Sequence, residues 1–220
     1  MQKFDTPAPI SAVLEVPAGS VRFLAEDRAD TVVEVRPADA TKSRDVKAAE
    51  QTKVEYGDGV LRIEAPAKNQ YFGPSGSLEV TVHLPAGSRV EAKAAAAELR
   101  TTGRLGDVTF DGAYGTIELD ETESVRLTAH EGDVVIGRLG GPAEISTQQG
   151  DIRITEAVRG TVRLTTQQGG ISVGAAHGVS ASLDAGTSYG RVSNTLKNTG
   201  TADLDIHATT AHGDIAAHSR

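Results

Sequence analysis

Pairs of aliphatic residues two positions apart recur along residues 90–220 and predict a series of short β-strands. Examples are Val134/Ile136, Ile152/Ile154 and Ile171/Val173. A spacing of two places both side chains on the same face of a strand. Successive units begin at intervals of 17–23 residues, at Val90, Val108, Val125, Ala143, Val162, Ala181 and Leu204. This repeat predicts an all-β, single-stranded β-solenoid of about seven coils.

Each predicted coil contains a second strand. In five coils it begins nine residues after the first, at Leu99, Ile117, Val134, Ile152 and Ile171. In the last two coils it begins eleven residues after the first, at Val192 and Ile215. A nearly constant coil length stacks equivalent residues of successive coils, so positions along the chain become columns in the fold.

Two columns follow from this alignment. Glycine occupies one corner in six of the seven predicted coils, at Gly115, Gly132, Gly150, Gly169, Gly190 and Gly213. Glycine enters left-handed backbone conformations without steric cost, so these residues are predicted to turn the chain. A second, mostly polar column of Thr128, Ser146, Thr165, Asp184 and His207 is predicted to line a corner with hydroxyl groups.

Residues 1–89 follow no fixed period and predict an N-terminal β cap, made of a small antiparallel sheet or of irregular first coils. Strands are expected at residues 11–16, 21–24, 31–36 and 77–84, with a hairpin at 52–64 turning on Gly57-Asp58-Gly59. Residues 45–51 fit either a short helix or an edge strand. We predict a cap over residues 1–89 and a solenoid over 90–220, joined as one continuous structural unit. A β-propeller-like or β-sandwich repeat is the alternative, because two units together approach the length of a propeller blade.

Composition restricts the core and the chemistry. Aromatic residues make up 4% of the 220 residues, and tryptophan and cysteine are absent. The predicted core therefore consists of Val, Ile, Leu and Ala in regular layers, and disulfide or thiolate chemistry is excluded. The formal charge is −8. Because no Lys/Arg-rich stripe occurs, we expect neither nucleic acid nor an anionic membrane as a partner.

The first residues contain no apolar stretch of signal-peptide length, and no apolar run reaches the length of a transmembrane helix. We therefore expect a cytoplasmic protein.

The repeated motif resembles a known family. Gly-Asp followed by Val or Ile occurs at Gly132–Val134, Gly150–Ile152 and Gly213–Ile215, with departures at Gly170 and Arg191. Together with the ladder of alternating aliphatic residues, it is similar to a bacterial β-strand-repeat family of adhesin-like domains of unknown function. The resemblance implies a β-solenoid that acts in interaction, and it brings no catalytic residues with it.

The aspartates after the corner glycines are the first metal candidates. Asp133 and Asp151 lie on adjacent predicted coils, so their carboxylates could share a Ca²⁺. The alternative is that each aspartate caps its own turn. Gly170 and Arg191 interrupt the series, and we predict no metal and no cofactor.

Catalysis has little support in the sequence. The acidic groups Asp120/Glu121/Glu123 and Asp203/Asp205 are clustered locally, without the opposed placement of a glycosidase pair. The histidines have no metal-ligand spacing. Aromatic residues that could bind sugar are few, namely Tyr56, Tyr71, Phe72, Tyr114 and Tyr189. We predict no catalytic residues, and a carbohydrate-binding or polysaccharide-active β-helix is the alternative function.

The variable residue before each corner glycine is the candidate recognition surface. This predicted ridge consists of Tyr114, Glu131, Gln149, Gln168, Tyr189 and His212. The last coil, with Leu204, Ile206 and Ile215, has only a short segment after it to cover its edge. We therefore expect either self-association through that coil or protection of its edge by the charges of Asp203, Asp205 and Asp214. The sequence therefore predicts a non-catalytic scaffold that binds an unidentified protein partner.

Overall fold

The computed structural model describes residues 1–66 and 76–220, and most of them lie in β-strands. Strands account for 69% of the structure, with one short helix, and the predicted all-β solenoid is confirmed. The chain divides into two compact units, Met1–Gly115 (unit 1) and Thr116–Arg220 (unit 2). The predicted boundary between residues 89 and 90 falls inside unit 1 and stays a prediction.

Unit 1 combines solenoid coils with antiparallel strands. Its described elements are β1 (Gln2–Asp5), β2 (Ser11–Glu26), β3 (Asp30–Pro37), α1 (Ser43–Gln51), β4 (Lys53–Gly57), β5 (Val60–Glu64), β6 (Leu78–Pro85), β7 (Arg89–Thr102) and β8 (Arg104–Tyr114). The long strands β2 and β7 pair in parallel, from Ser11 opposite Arg89 to Leu24 opposite Thr102. β2 also pairs in parallel with β5 and β6, and β7 pairs in parallel with β8. β1, β3 and β4 add antiparallel pairs, so the cap contains both of the arrangements predicted for it.

Local chemistry explains several of these elements. The strands predicted at residues 11–16 and 21–24 are one strand, β2, which passes through Gly19 at φ +130°. The predicted hairpin is β4–β5, with Asp58 and Gly59 both at positive φ. Residues 45–51 are helical, in α1, where the buried carboxylate of Asp45 accepts a 3.0 Å hydrogen bond from the N–H of Ser77. Among the described residues, no helix has the length and apolar character needed to cross a membrane.

Unit 2 consists of parallel strands only. Its elements are β9 (Ile117–Glu131), β10 (Val134–Leu139), β11 (Ala143–Gln149), β12 (Ile152–Ala157), β13 (Gly160–Gln168), β14 (Ile171–Ala175), β15 (Ala181–Tyr189), β16 (Val192–Thr195), β17 (Leu204–His212) and β18 (Ile215–Ser219). They form two stacks. Stack A contains residues 125–131 of β9, then β11, β13, β17 and β15. Stack B contains residues 117–122 of β9, then β10, β12, β14, β18 and β16.

The stacking order departs from the chain order at the end of unit 2. β17 lies between β13 and β15, and β18 lies between β14 and β16. The last coil of the sequence is therefore an inner coil, and the coil formed by β15 and β16 is the outermost one. The expectation that the last coil has an open edge is wrong. The coil with more large aliphatic residues, namely Leu204, Ile206 and Ile215, occupies the inner place. The outermost coil carries Leu183 and Val192, and Val192 is 47% exposed.

The register of these two coils also differs from the prediction. Ala181 and Leu204 are opposite each other, but Leu204 lies opposite Gly160 and not opposite Val162. The residues equivalent to Val162 are Ile206 and Leu183. With this register the second strand begins nine residues after the equivalent position in every coil of unit 2, so the apparent interval of eleven residues was an error of two in the alignment.

Candidate interaction surface

The corner glycines of unit 2 stack directly on one another. Their order along the stack is Gly132, Gly150, Gly169, Gly213 and Gly190, and a Cβ on each of the last four would collide with the carbonyl oxygen of the glycine before it. Gly150 has φ +135°, which disfavours any side chain. Gly190 has no positive φ, so at that corner the close approach alone requires glycine. In unit 1, a Cβ on Gly115 would meet the carbonyl oxygen of Ala97.

The aspartates that follow the glycines connect neighbouring coils. Asp133 Oδ1 accepts a 2.8 Å hydrogen bond from the N–H of Asp151, and Asp151 Oδ1 accepts a 2.7 Å bond from the N–H of Gly170. Asp214 makes the same contact with the N–H of Arg191, at 2.8 Å, and this bond lowers the pKa of the Asp214 carboxyl. Each aspartate therefore caps the next coil, whereas the sequence predicts that it caps its own turn. The neighbouring coil is within reach because the coils approach closely where glycine is the preceding residue.

The same hydrogen bonds orient the two candidate calcium ligands. Asp133 and Asp151 lie on adjacent coils, as the alignment predicts, and each already directs one carboxylate oxygen at a backbone N–H. Within residues 1–66 and 76–220, no cluster of three or more His, Asp or Glu side chains has the geometry to hold a metal ion. The arrangement is that of a structural cap.

The buried hydroxyl column lies one residue beyond the predicted one. Thr128, Ser146 and Thr165 lie opposite one another on adjacent coils, as the alignment predicts, and their side chains are exposed. Thr166 and Thr210 are instead buried at 2% exposure and donate to the carbonyl oxygens of Gly150 (3.1 Å) and Gly169 (2.9 Å). These threonines continue the alternation of the core, two residues after Leu164 and Ala208, and that alternation is the signal that could have identified them.

The remaining members of the predicted hydroxyl column belong to a row of charged side chains. Asp184 lies opposite His207, with 3.4 Å between Oδ2 and Nδ1. His207 is opposite Arg163, which is opposite Glu144. Two of the acidic residues considered for catalysis, Glu121 and Glu123, are paired in a similar way. Arg138 bridges Glu121 and Glu156 on its two neighbouring coils, and Arg159 binds Glu123 at 3.1 Å.

Five residues of the predicted ridge form a continuous column on unit 2. We call it the corner column; in stacking order it consists of Glu131, Gln149, Gln168, His212 and Tyr189. All five are exposed. The rings of His212 and Tyr189 stack with centroids 4.9 Å apart and planes 3° apart, although 72% of Tyr189 remains exposed. The inserted last coil places His212 between Gln168 and Tyr189.

Tyr114, the sixth predicted ridge residue, lines a groove of about 450 Å³ within unit 1. Glu79, Glu98 and Ser20 line the same groove, and its other residues are small, namely Gly19, Ala38, Ser77, Ala96, Ala97 and Gly115. Tyr114 is 58% exposed. Of the other candidate aromatic residues, Tyr56 packs against Phe4 with ring centroids 5.5 Å apart, and Tyr71 and Phe72 lie outside the described residues.

Known structures share this fold. A putative adhesin from Bacteroides fragilis is 13% identical, with a TM-score of 0.57, over 98% of this chain and 95% of the other. A putative adhesin from Parabacteroides distasonis is 15% identical, with a TM-score of 0.47, over the same two shares. A putative lipid binding protein from Parabacteroides distasonis is 10% identical, with a TM-score of 0.43, also over 98% and 95%. The first of these shows the fold.

No curated protein matches the chain. The model of the family described as Toastrack DUF4097 matches residues 13–219, nearly the whole sequence. These residues include the glycine column, the aspartate caps and the inserted last coil. The chain belongs to the Toastrack DUF4097 family.

Proposed function

We propose that this chain is a non-catalytic interaction module and that the corner column of unit 2 is its recognition surface. One observation carries the proposal. The five side chains occupy the same point of five successive coils and all face solvent, while the next residue in every coil is glycine. The architecture fixes the glycine and leaves the side chain before it free to differ, as Glu, Gln, Gln, His and Tyr.

The chemistry of the column suits a protein partner. At about 4.8 Å per coil the five side chains extend over roughly 19 Å. Gln149 and Gln168 supply amide donors and acceptors in the middle of the column, and Glu131 places a carboxylate at one end. The stacked pair of Tyr189 and His212 supplies an exposed aromatic surface at the other end. Tyrosine is enriched at the energetically important positions of protein interfaces.

Absence of catalysis is part of the proposal. Charged side chains on the outer faces pair across neighbouring coils, as Arg138 does with Glu121 and Glu156. The similar solved structure from Bacteroides fragilis is named as a putative adhesin and not as an enzyme, and adhesins are interaction proteins. A cytoplasmic location, and the lack of nucleic-acid or membrane partners, stay predictions from the sequence.

Site-specific photo-crosslinking in the native cell extract tests this surface. A photoreactive residue at Gln149 is expected to capture a partner, whereas the same residue at exposed Arg153, on stack B, is not. Excess unlabelled chain should compete for the partner, and a Gln149→Ala/Gln168→Ala/Tyr189→Ala variant should not. Equal capture from both positions, or equal competition by the triple variant, would contradict the proposal.

A second candidate function is glycan binding by unit 1. The groove beside Tyr114 has the volume of a small-molecule site and combines an exposed aromatic ring with the carboxylates of Glu79 and Glu98. Such a pair of groups suits a sugar, whose ring stacks on tyrosine and whose hydroxyls donate to carboxylates. Binding on a glycan array that is lost in Tyr114→Ala and kept in Tyr189→Ala would support it. Binding unaffected by Tyr114→Ala would exclude this groove.

A further inference from the structure

The outermost coil leaves the end of the core of unit 2 open. Val192 occupies the same register position as Ile215, Ile171 and Ile152. Those three residues are at most 1% exposed, whereas Val192 is 47% exposed. Leu183, the counterpart of the buried Ile206, is also only half-buried. An apolar position that is sealed in every inner coil is therefore accessible here.

The backbone edge of β15 is capped at its first residue only. The C=O of Ser180 accepts hydrogen bonds from the N–H groups of Asp203 and Leu204, on the β17 side. Ala181 faces the other way, where its N–H donates to the C=O of Lys197 (2.9 Å) and its C=O accepts from the Asn198 side chain (3.1 Å). In a parallel ladder alternate residues face opposite neighbours, so the backbone groups of Leu183 and Ala185 face outward. All residues of unit 2 are described, and within it no strand pairs with this edge.

The charges of this coil permit contact between identical surfaces. Residues 181–203 contain two acidic residues, Asp184 and Asp203, and two basic residues, Arg191 and Lys197. Their formal net charge is zero, whereas the whole chain carries −8.

We propose that two copies of this chain associate through the outer edge of β15 and β16. A two-fold axis sets the two β15 strands antiparallel, so the outward-facing backbone groups of Leu183 and Ala185 pair across the interface and Val192 becomes buried. This interface replaces the one predicted through the last coil, because β17 and β18 have strands on both sides. It meets the corner column only at Tyr189, which lies on β15, whereas Glu131, Gln149, Gln168 and His212 lie on other coils and stay accessible.

Sedimentation equilibrium over micromolar to millimolar concentrations tests the proposal. The wild-type chain is expected to reach twice the monomer mass of 22.9 kDa. Val192→Lys should remain monomeric, because it places a charge in the interface. Ser193→Lys is the matched control: its side chain projects from the adjacent exposed position, and it should dimerise as the wild type does.

A backbone variant provides a second test. Ala185→Pro removes a backbone N–H that faces outward. An edge strand tolerates proline at such a position, so the variant should weaken dimerisation at least tenfold without unfolding the chain. Hydrogen exchange at Ala185 should slow as the protein concentration rises. A wild-type chain that stays monomeric throughout, one that forms open-ended polymers, or a Val192→Lys variant that dimerises normally would each overturn the proposal.

Discussion

The carboxylate of Asp214 accepts a 2.8 Å hydrogen bond from the backbone N–H of Arg191, which precedes it in the chain by 23 residues. At the equivalent corners the direction is reversed, since Asp133 and Asp151 each bind a residue that follows them in the sequence. In all three contacts the aspartate binds the neighbouring coil on the same side of the stack. Only at Asp214 does that coil come earlier in the sequence. This contact connects the inserted coil to the outermost one.

The first prediction concerns the pH dependence of this cap. The N–H of Arg191 lowers the pKa of Asp214 from its ordinary value of 3.8, so the carboxyl binds its proton more readily in the unfolded chain. The cap therefore stabilises the fold above the unfolded pKa and is lost as pH falls through the lower native pKa. We expect unfolding free energy, measured with urea at a series of acidic pH values, to fall less steeply in Asp214→Asn than in the wild type. Equal slopes would contradict the prediction.

The second prediction concerns the glycine column. Gly150→Ala should destabilise unit 2 by about 2–4 kcal/mol, because the new methyl group meets the carbonyl oxygen of Gly132 and φ is +135°. Gly186→Ala is the matched control, since a Cβ there has no atom within 4 Å. It should be neutral or stabilising by about 0.4–1 kcal/mol. Chemical denaturation measures both, and similar losses in the two variants would argue against the stacked corner.

The third prediction separates the buried threonines from the exposed ones. Thr166→Val removes the hydroxyl that donates to the C=O of Gly150 and should cost about 1 kcal/mol of unfolding free energy. Thr165→Val, one residue earlier on the exposed face, should change it by less than about 0.5 kcal/mol. The reverse order of the two losses would support the column predicted from the sequence.

The fourth prediction tests the order of the coils. Ile215→Ala should cost about 2–5 kcal/mol, because Ile215 is buried between Ile171 and Val192. Val192→Ala should cost less than about 1 kcal/mol, because the side chain is 47% exposed. If the coils were stacked in chain order, Ile215 would belong to the end coil and the two losses would exchange places. Thermal unfolding of the monomeric variants at low concentration distinguishes the two orders.

Local patterns in the sequence predict most of this architecture. The alternation in Ile152/Ile154 and Ile171/Val173 identifies the core faces of the strands, and both pairs are buried. The glycine column predicts the corner because a close approach of backbones tolerates no other residue, and Gly150 and Gly169 meet that condition. Such features depend only on a residue and its nearest neighbours, so they can be read along the chain.

Features that depend on competition between coils could not be predicted in this way. Leu183 and Ile206 both fit beside Val162, and the choice between them depends on how much apolar surface each whole coil buries. Asp184 and His207 were placed in the hydroxyl column by the erroneous spacing of eleven residues, whereas Thr209 is the residue opposite Thr165 and Gly186 is opposite Thr209. A requirement for the same nine-residue spacing in all coils would have corrected the register, although not the order.

The inserted last coil has a consequence for how the protein is made. Ribosomes synthesise β15 and β16 before β17 and β18, so the outermost coil of the stack is made before the coil that lies beneath it. At that moment the edge of β13 that binds β17 in the native stack has no partner. The native stack therefore cannot grow by adding coils in the order of translation. It is completed only when residues 204–219 have been synthesised, because β17 and β18 lie between segments that precede them in the chain.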